Sequence, residues 1–199
     1  LEYAHLAISE KLGERLDIKS KQNSGLLQCL PSFISIPSVR RLVTANLEKW
    51  LQSPALSGLA RALFSVTVKN MENVDPPLPA DLDTLDNILS MRLKANQLNA
   101  HVENVTAVAA RIPTAAVANH IYGHLLREVL TTMDSRDSSF SDHLSMINAV
   151  HDVLPSQIRA DGIASSLLGL LTNPPSALSH LANIQLIRRI TALIRAISK

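Results

Sequence analysis

Apolar residues recur three and four positions apart along almost the whole chain, and no stretch alternates apolar and polar residues over many positions. The first spacing places apolar side chains on one face of an α-helix, whereas a half-buried strand needs strict alternation. Prolines and polar stretches divide this pattern into about ten segments of helical length. The sequence therefore predicts an all-α fold with short loops.

Prolines and serines set the expected helix boundaries. Pro37 suits the first turn of a helix, and Ser53-Pro54 reads as an N-cap followed by a first-turn proline. Asp75–Pro79 holds three prolines, which exclude regular helix and predict an exposed connection. Further helices are expected over Tyr3 to Asp17, Leu26 to Phe33, Gln157 to Leu171 and Ser176 to Ser198.

The composition narrows the class of protein. An apolar content of 46% is ordinary for a folded chain, so disorder is excluded as the main state. The single cysteine, Cys29, excludes a disulfide scaffold. A net charge of +2 gives no strong nucleic-acid footprint. Since no uncharged run of about 18 apolar residues occurs, no membrane span is predicted.

The aromatic content of 3% favours a particular helical architecture. From Val39 onward the predicted helices pair as two antiparallel helices per unit of roughly 35–45 residues, near the HEAT and armadillo repeat lengths. Thin layers of small aliphatic residues suffice where each unit packs only on its neighbours. We expect a HEAT/armadillo-like solenoid, a single α-helical repeat domain over residues 1–199, with a compact helical bundle as the alternative. Because the chain starts at Leu1 without methionine, we interpret it as a fragment of a larger protein.

One cluster has the spacing of a metal site. His120, His124 and Glu128 lie at i, i+4 and i+8, where two imidazoles and a carboxylate reach one zinc ion. A solvated polar face is the preferred interpretation, because the metalloprotease pattern needs a glutamate where Ile121 stands.

The remaining candidates for chemistry have simpler structural roles. Asp81, Asp83 and Asp86 lie near a helix start, where carboxylates favour the helix dipole. Cys29 is interpreted as a buried structural thiol. No glycine-rich phosphate loop or nucleophile elbow occurs. We therefore expect no enzymatic activity, no cofactor, no bound metal and no small-molecule substrate.

The last predicted helix has the pattern of an interaction surface. Its apolar residues occupy well over half of its circumference, and a helix of this kind is normally buried on most sides. The next repeat or a partner is expected to cover it. Ile187 and Ile194, with the basic strip Arg188, Arg195 and Lys199, are the predicted partner-binding residues. As an alternative, the basic residues only complement the helix dipole.

Trp50 is a second candidate anchor for a partner. It shares the helical stripe of Val43 and Leu47, and a tryptophan in that position is more often part of the core. We therefore expect Trp50 to be buried.

The residues around Trp50 also carry a family resemblance. Residues 47–56 read Leu-Glu-Lys-Trp-Leu-Gln-Ser-Pro-Ala-Leu and follow the basic stretch Val39–Val43. This run resembles the N-terminal conserved domain of the Integrator complex subunit 1 family, which has a similar Leu-Glu-x-Trp-Leu-Gln-x-Pro-x-Leu run. Ala60–Leu63 and Leu85–Lys94 are also similar to that family.

The resemblance implies a non-catalytic nuclear scaffold that binds other Integrator subunits through a helical-repeat surface. It implies a role in transcription by RNA polymerase II, in small nuclear RNA 3′ processing and in transcription attenuation. The alternatives are a generic HEAT-repeat adaptor, RNA binding through Arg188, Arg195 and Lys199 aided by Arg40 and Arg41, and a metal-dependent enzyme.

Overall fold

The computed structural model describes residues 30–53, 56–91, 98–133, 139–178, 181 and 183–197. Every regular element within these ranges is helical, which confirms the all-α prediction for them. The α-helices are α1 (Pro37–Leu51), α2 (Ser57–Lys69), α3 (Pro79–Leu89), α4 (Leu98–Arg111), α5 (Ala115–Thr132), α6 (Ser139–Val153), α7 (Ser156–Thr172) and α8 (Asn183–Ile197). Leu30–Phe33 and Ser176–Leu178 form short 3-10 helices. The predicted helix Tyr3 to Asp17 and Cys29 lie outside the described residues.

Prolines and a threonine define three helix starts. Pro37 is the first residue of α1 and Pro79 is the first residue of α3, where the missing N–H has no helical partner to lose. Thr114 caps α5, since its hydroxyl accepts a hydrogen bond from the backbone N–H of Val117 at 3.4 Å. The prediction of a helix start at Pro37 is confirmed.

The predicted start of α2 is wrong. The helix begins at Ser57 rather than directly after Ser53. The Ser53 carbonyl accepts the backbone N–H groups of Leu56 at 3.0 Å and Ser57 at 2.9 Å, and this turn precedes the helix. The N-cap is therefore Leu56 rather than the predicted Ser53, and the predicted first-turn proline, Pro54, lies outside the described residues.

The predicted start of the last helix is also wrong. The Pro175 carbonyl accepts the backbone N–H of Leu178 at 2.8 Å, which closes a separate 3-10 turn over Ser176–Leu178. The side chain of Leu178 is buried, and α8 starts later, at Asn183. One expected helix is thus two elements.

The described residues group into two compact units. The first takes in those of Leu1–Glu72 and Leu78–Gln97, and the second those of Asn73–Pro77 and Leu98–Lys199. In the first unit α1 packs on α2 and α3, and the 3-10 helix Leu30–Phe33 packs on α2. Its fully buried side chains include Ile34, Val43, Leu47, Trp50, Leu63, Met71, Leu85 and Ile88.

In the second unit, α5 makes the most extensive contacts. It packs on α7 above all and next on α6, and α4 also packs on α6. The buried side chains include Val105, Val108, Ile112, Ile121, Tyr122, Leu125, Leu126, Val129, Ile147 and Val150. Gly162 of α7 lies so close to α5 that a Cβ there would be 2.9 Å from Tyr122 Cδ2. Within the described part of the chain, no helix has the length and apolar content needed to cross a membrane.

Candidate interaction surfaces

α8 packs against the other helices of the second unit along one apolar edge. Leu186, Ile190 and Leu193 are buried, and the helix contacts α5, α6 and α7. Arg189 is half-buried, and its Nη1 donates a hydrogen bond to the Leu130 carbonyl in the last turn of α5 at 3.3 Å. A guanidinium at that position also complements the dipole of α5. This edge is therefore the attachment side of α8.

A side of α8 that lies about 110° around the helix axis from this edge exposes three large apolar residues. Ile184, Ile187 and Ile194, here called the isoleucine stripe, are 61%, 52% and 41% exposed. At about 100° per residue they occupy an arc of about 80° on the helix. Singly exposed apolar residues need no explanation, but three on one helical face are typical of an interaction site.

Two arginines adjoin the isoleucine stripe. Arg188 and Arg195 are exposed and follow the stripe within about 40° around the helix axis. No acidic residue occurs between Asn183 and Ile197. The structure thus brings Ile187, Ile194, Arg188 and Arg195 to one exposed side, whereas the fifth predicted residue, Lys199, lies outside the described residues.

The sequence analysis did not single out two exposed leucines on α7. Leu168 is 62% exposed and Leu171 is 45% exposed, while Leu170 between them is buried. The signal was present in the sequence, because leucine pairs before and after Gly169 put apolar residues on more than one face of the helix.

An open groove of about 350 Å³ lies between α5 and α7. It is lined by Asn119, Gly123 and Arg127 of α5 and by Ser165, Ser166 and Gly169 of α7. The Ser166 hydroxyl donates to the Asn119 carbonyl at 3.4 Å, so it is engaged with the backbone. The lining residues include two serines but no histidine or carboxylate that could serve as their base.

The first unit contains a buried ion pair. Arg40 Nη1 of α1 lies 2.7 Å from Asp81 Oδ1 of α3, and the two side chains are 3% and 1% exposed. The same nitrogen donates to the Asn70 carbonyl at 3.1 Å. Burial raises the pKa of the Asp81 carboxyl above its ordinary value, although the Arg40 guanidinium acts in the opposite direction. Asp81 therefore does more than complement a helix dipole, since it connects two helices.

This ion pair corrects the RNA-binding hypothesis. Arg40 is buried, so it is not available to a phosphate backbone. Arg41 is exposed, but its Nε lies 2.7 Å from Asp83 Oδ2, which compensates its charge. Neither of the two auxiliary arginines therefore provides a free basic surface, and RNA binding would depend on Arg188, Arg195 and Lys199.

The second unit buries several polar rings. Burial, reinforced by the nearby His124 and His143, lowers the pKa of His101 to about 4. Burial also lowers the pKa of His151 and raises that of Tyr122. The Tyr122 and His151 rings lie 5.6 Å apart, between centroids. These shifts favour the neutral forms near pH 7; the side chains of His101 and Tyr122 are buried in the core, and that of His151 is half-buried.

His120, His124 and Glu128 were the candidate metal cluster, for which a solvated polar face was the preferred interpretation. All three side chains are half-buried on α5. Across the described ranges, no group of three or more His, Cys, Asp or Glu side chains is placed to hold a metal ion. His124 instead contributes to the electrostatic environment of His101.

The residues that carry the family resemblance belong to the core of the first unit. Trp50 is 1% exposed, and Leu47 and Leu51 are also buried. The prediction that Trp50 is a core residue is confirmed. The apolar residues Leu47, Trp50 and Leu51 of this run therefore pack α1 into the core of the first unit.

The family comparison agrees with this run. A family model described as Integrator complex subunit 1, RP2B-binding domain, matches residues 2–137. The chain belongs to the Integrator complex subunit 1 family. The match takes in α1 to α5, whereas α6, α7 and α8 of this Integrator subunit 1 chain follow the matched segment. No curated protein and no solved structure matches the chain.

Proposed function

We propose that this chain is a non-catalytic docking module that binds RNA polymerase II through the partner that the family description names RP2B. The match of that family over residues 2–137 carries the proposal. In this function the chain provides a preformed surface of packed helices, which lowers the entropy lost on binding. The buried pair of Arg40 and Asp81 supports it, because it fixes α3 against α1 within the matched segment.

The proposed architecture is a HEAT/armadillo-like solenoid of antiparallel helix pairs that forms a single repeat domain over residues 1–199 of a longer protein. The packing of α1 on α3, of α4 on α6 and of α5 on α7 supports it. In such a stack each helix contacts the equivalent helix of the next pair. An extended surface of this kind suits a scaffold.

In the cell we propose a nuclear role within an Integrator-type complex, in small nuclear RNA 3′ processing and transcription attenuation. Membership of the Integrator subunit 1 family supports it. Other Integrator subunits are the proposed additional partners. Affinity purification of the tagged chain from nuclear extract should retain them together with RNA polymerase II, and recovery of unrelated factors alone would contradict this role.

The polymerase proposal is tested with purified components. The 199-residue chain is immobilised, binding of RNA polymerase II is measured by biolayer interferometry, and the complex is then cross-linked through lysines. Six lysines lie in residues 2–137, including the exposed Lys49 and Lys69, and only Lys199 lies beyond. We expect saturable binding and cross-links from residues 2–137 to RP2B.

A matched control separates this site from α8. The double variant Ile187→Asp, Ile194→Asp changes only residues beyond the matched segment, so polymerase binding should be unchanged. Absence of polymerase binding by the wild-type chain, or cross-links from Lys199 alone, would overturn the proposal.

A further inference from the structure

The charge along the chain is uneven. Residues 162–199 contain four of the 19 lysines and arginines and none of the 17 aspartates and glutamates. Three of these four cations, Arg188, Arg189 and Arg195, lie on α8, and Arg189 is engaged with α5. Arg188 and Arg195 therefore give the exposed side of α8 a positive edge that no acid on the same helix compensates.

We propose that the isoleucine stripe, with Arg188 and Arg195, binds an acidic amphipathic helix of a partner protein. This goes beyond polymerase binding, because α8 lies outside the segment that matches the RP2B-binding family. Ile184, Ile187 and Ile194 lie at positions i, i+3 and i+10 of α8. Apolar residues with this spacing form a row on one side of a helix, and the apolar face of a partner helix can pack against such a row.

The arginines select the charge of the partner. Both lie on the same edge of the stripe, so carboxylates on the facing edge of a bound helix would come within reach of them. Rim charges of this kind act mainly on specificity and association rate, whereas the apolar stripe provides most of the affinity. The partner therefore needs both features, apolar residues on one face and acids beside them.

Two other occupants fit this face less well. A second copy of α8 would bring its own arginines and no acid, so the positive edges would remain uncompensated. RNA recognition relies on cations and stacking aromatics, whereas α8 has no aromatic residue and exposes the apolar side chain of Ile184 to 61%. An acidic helix is the occupant that satisfies both the isoleucines and the arginines.

The test uses two designed peptides of about three heptads. Both carry leucine at the a and d positions, and the flanking e and g positions are glutamate in one peptide and lysine in the other. Binding of each labelled peptide to the 199-residue chain is measured by fluorescence anisotropy. We expect the glutamate peptide to bind at least tenfold more tightly than the lysine peptide. The ratio of the two dissociation constants should become smaller at high salt, because salt screens the charges.

Three double variants localise the binding. Ile187→Asp with Ile194→Asp should weaken binding of the glutamate peptide at least tenfold. Arg188→Glu with Arg195→Glu should reverse the preference towards the lysine peptide. Leu168→Asp with Leu171→Asp changes exposed leucines on α7 and serves as the matched control, so it should leave both affinities unchanged. Circular dichroism checks that each variant keeps the helical content of the wild-type chain.

Several results would overturn the proposal. These are equal affinity for the two peptides, no binding of either peptide, or the same loss of affinity in the α7 control. Dimerisation of the wild-type chain that Ile187→Asp abolishes would assign the face to a second copy. Polymerase binding is measured separately on the same variants, so its outcome does not affect this test.

Discussion

Arg40 of α1 and Asp81 of α3 form a buried ion pair through a single nitrogen–oxygen contact. Nη1 approaches Oδ1 to 2.7 Å, and the Glu72 backbone also acts on the Asp81 carboxyl, whereas Arg40 Nε has no hydrogen-bond partner among the described residues. A bidentate pair would satisfy more of these groups. Each charge nevertheless depends on the other, because a lone charge in the core has neither water nor a counter-ion.

Removal of one member of this pair should therefore be costly. We expect Asp81→Asn to lower the free energy of unfolding by about 3–5 kcal/mol, as measured by urea denaturation. Asp83→Asn is the matched control. Asp83 Oδ2 also lies 2.7 Å from an arginine nitrogen, Arg41 Nε, but both side chains of this pair are about half exposed to solvent. That variant should change stability by less than about 1 kcal/mol. Equal losses in the two variants would contradict the role of the buried pair.

The same pair should be replaceable as a unit. The double variant Arg40→Met with Asp81→Leu leaves no unpaired charge in the core. Its loss in the free energy of unfolding should therefore be much smaller than the sum of the losses in the two single variants. A double-mutant cycle measures this coupling. Additive losses would mean that the two charges do not stabilise each other.

The Arg40–Asp81 pair also illustrates what the sequence could not reveal. Asp81 does lie in the first turn of α3, as the dipole argument expects. Its partner, however, lies 41 residues away, and no local pattern specifies such a contact. Trp50 was predictable because its burial follows from the periodicity of its own helix.

α8 was predictable only in part. The apolar spacing indicated a helix with isoleucines on several faces, and the structure contains that helix. The exposure of Ile187 and the burial of Ile190 depend on where α5, α6 and α7 contact it. The boundary at Asn183 depends on the 3-10 turn at Leu178, which the spacing does not encode.

The buried histidines should make stability depend on pH. The pKa of His101 is lowered to about 4 and that of His151 is also lowered, so the unfolded chain binds more protons than the folded chain below pH 6.5. The free energy of unfolding should therefore fall as the pH falls from about 6.5 towards 4, by up to about 3 kcal/mol from His101 alone. Urea denaturation across this range measures the slope.

Histidine variants assign that slope. His101→Gln should flatten the dependence on pH, and His101→Gln with His151→Gln should flatten it further. The slope is the informative quantity, since each substitution also changes packing. A double variant with the wild-type slope would contradict the assignment.

The hydroxyl of Tyr122 should contribute little to stability. It is buried and has no hydrogen-bond partner within the described residues, and burial raises its pKa. Tyr122→Phe removes an unsatisfied polar group, so stability should stay the same or rise by about 1–3 kcal/mol. Tyr122→Ala, which also removes the ring, should lose about 3–5 kcal/mol. Thermal denaturation compares the two, and a clear loss in Tyr122→Phe would show that the hydroxyl is engaged.

The contact of α7 with α5 should depend on the absence of a side chain at Gly162. A Cβ there would lie 2.9 Å from Tyr122 Cδ2 and 3.0 Å from the Cβ of Ala118, and both atoms belong to the buried face of α5. Gly162→Ala should therefore cost about 1–3 kcal/mol through overpacking. Gly169 of the same helix is the matched control, because a Cβ there meets no atom within 4 Å. Gly169→Ala should be neutral or should stabilise by up to about 1 kcal/mol, since alanine has the higher helix propensity.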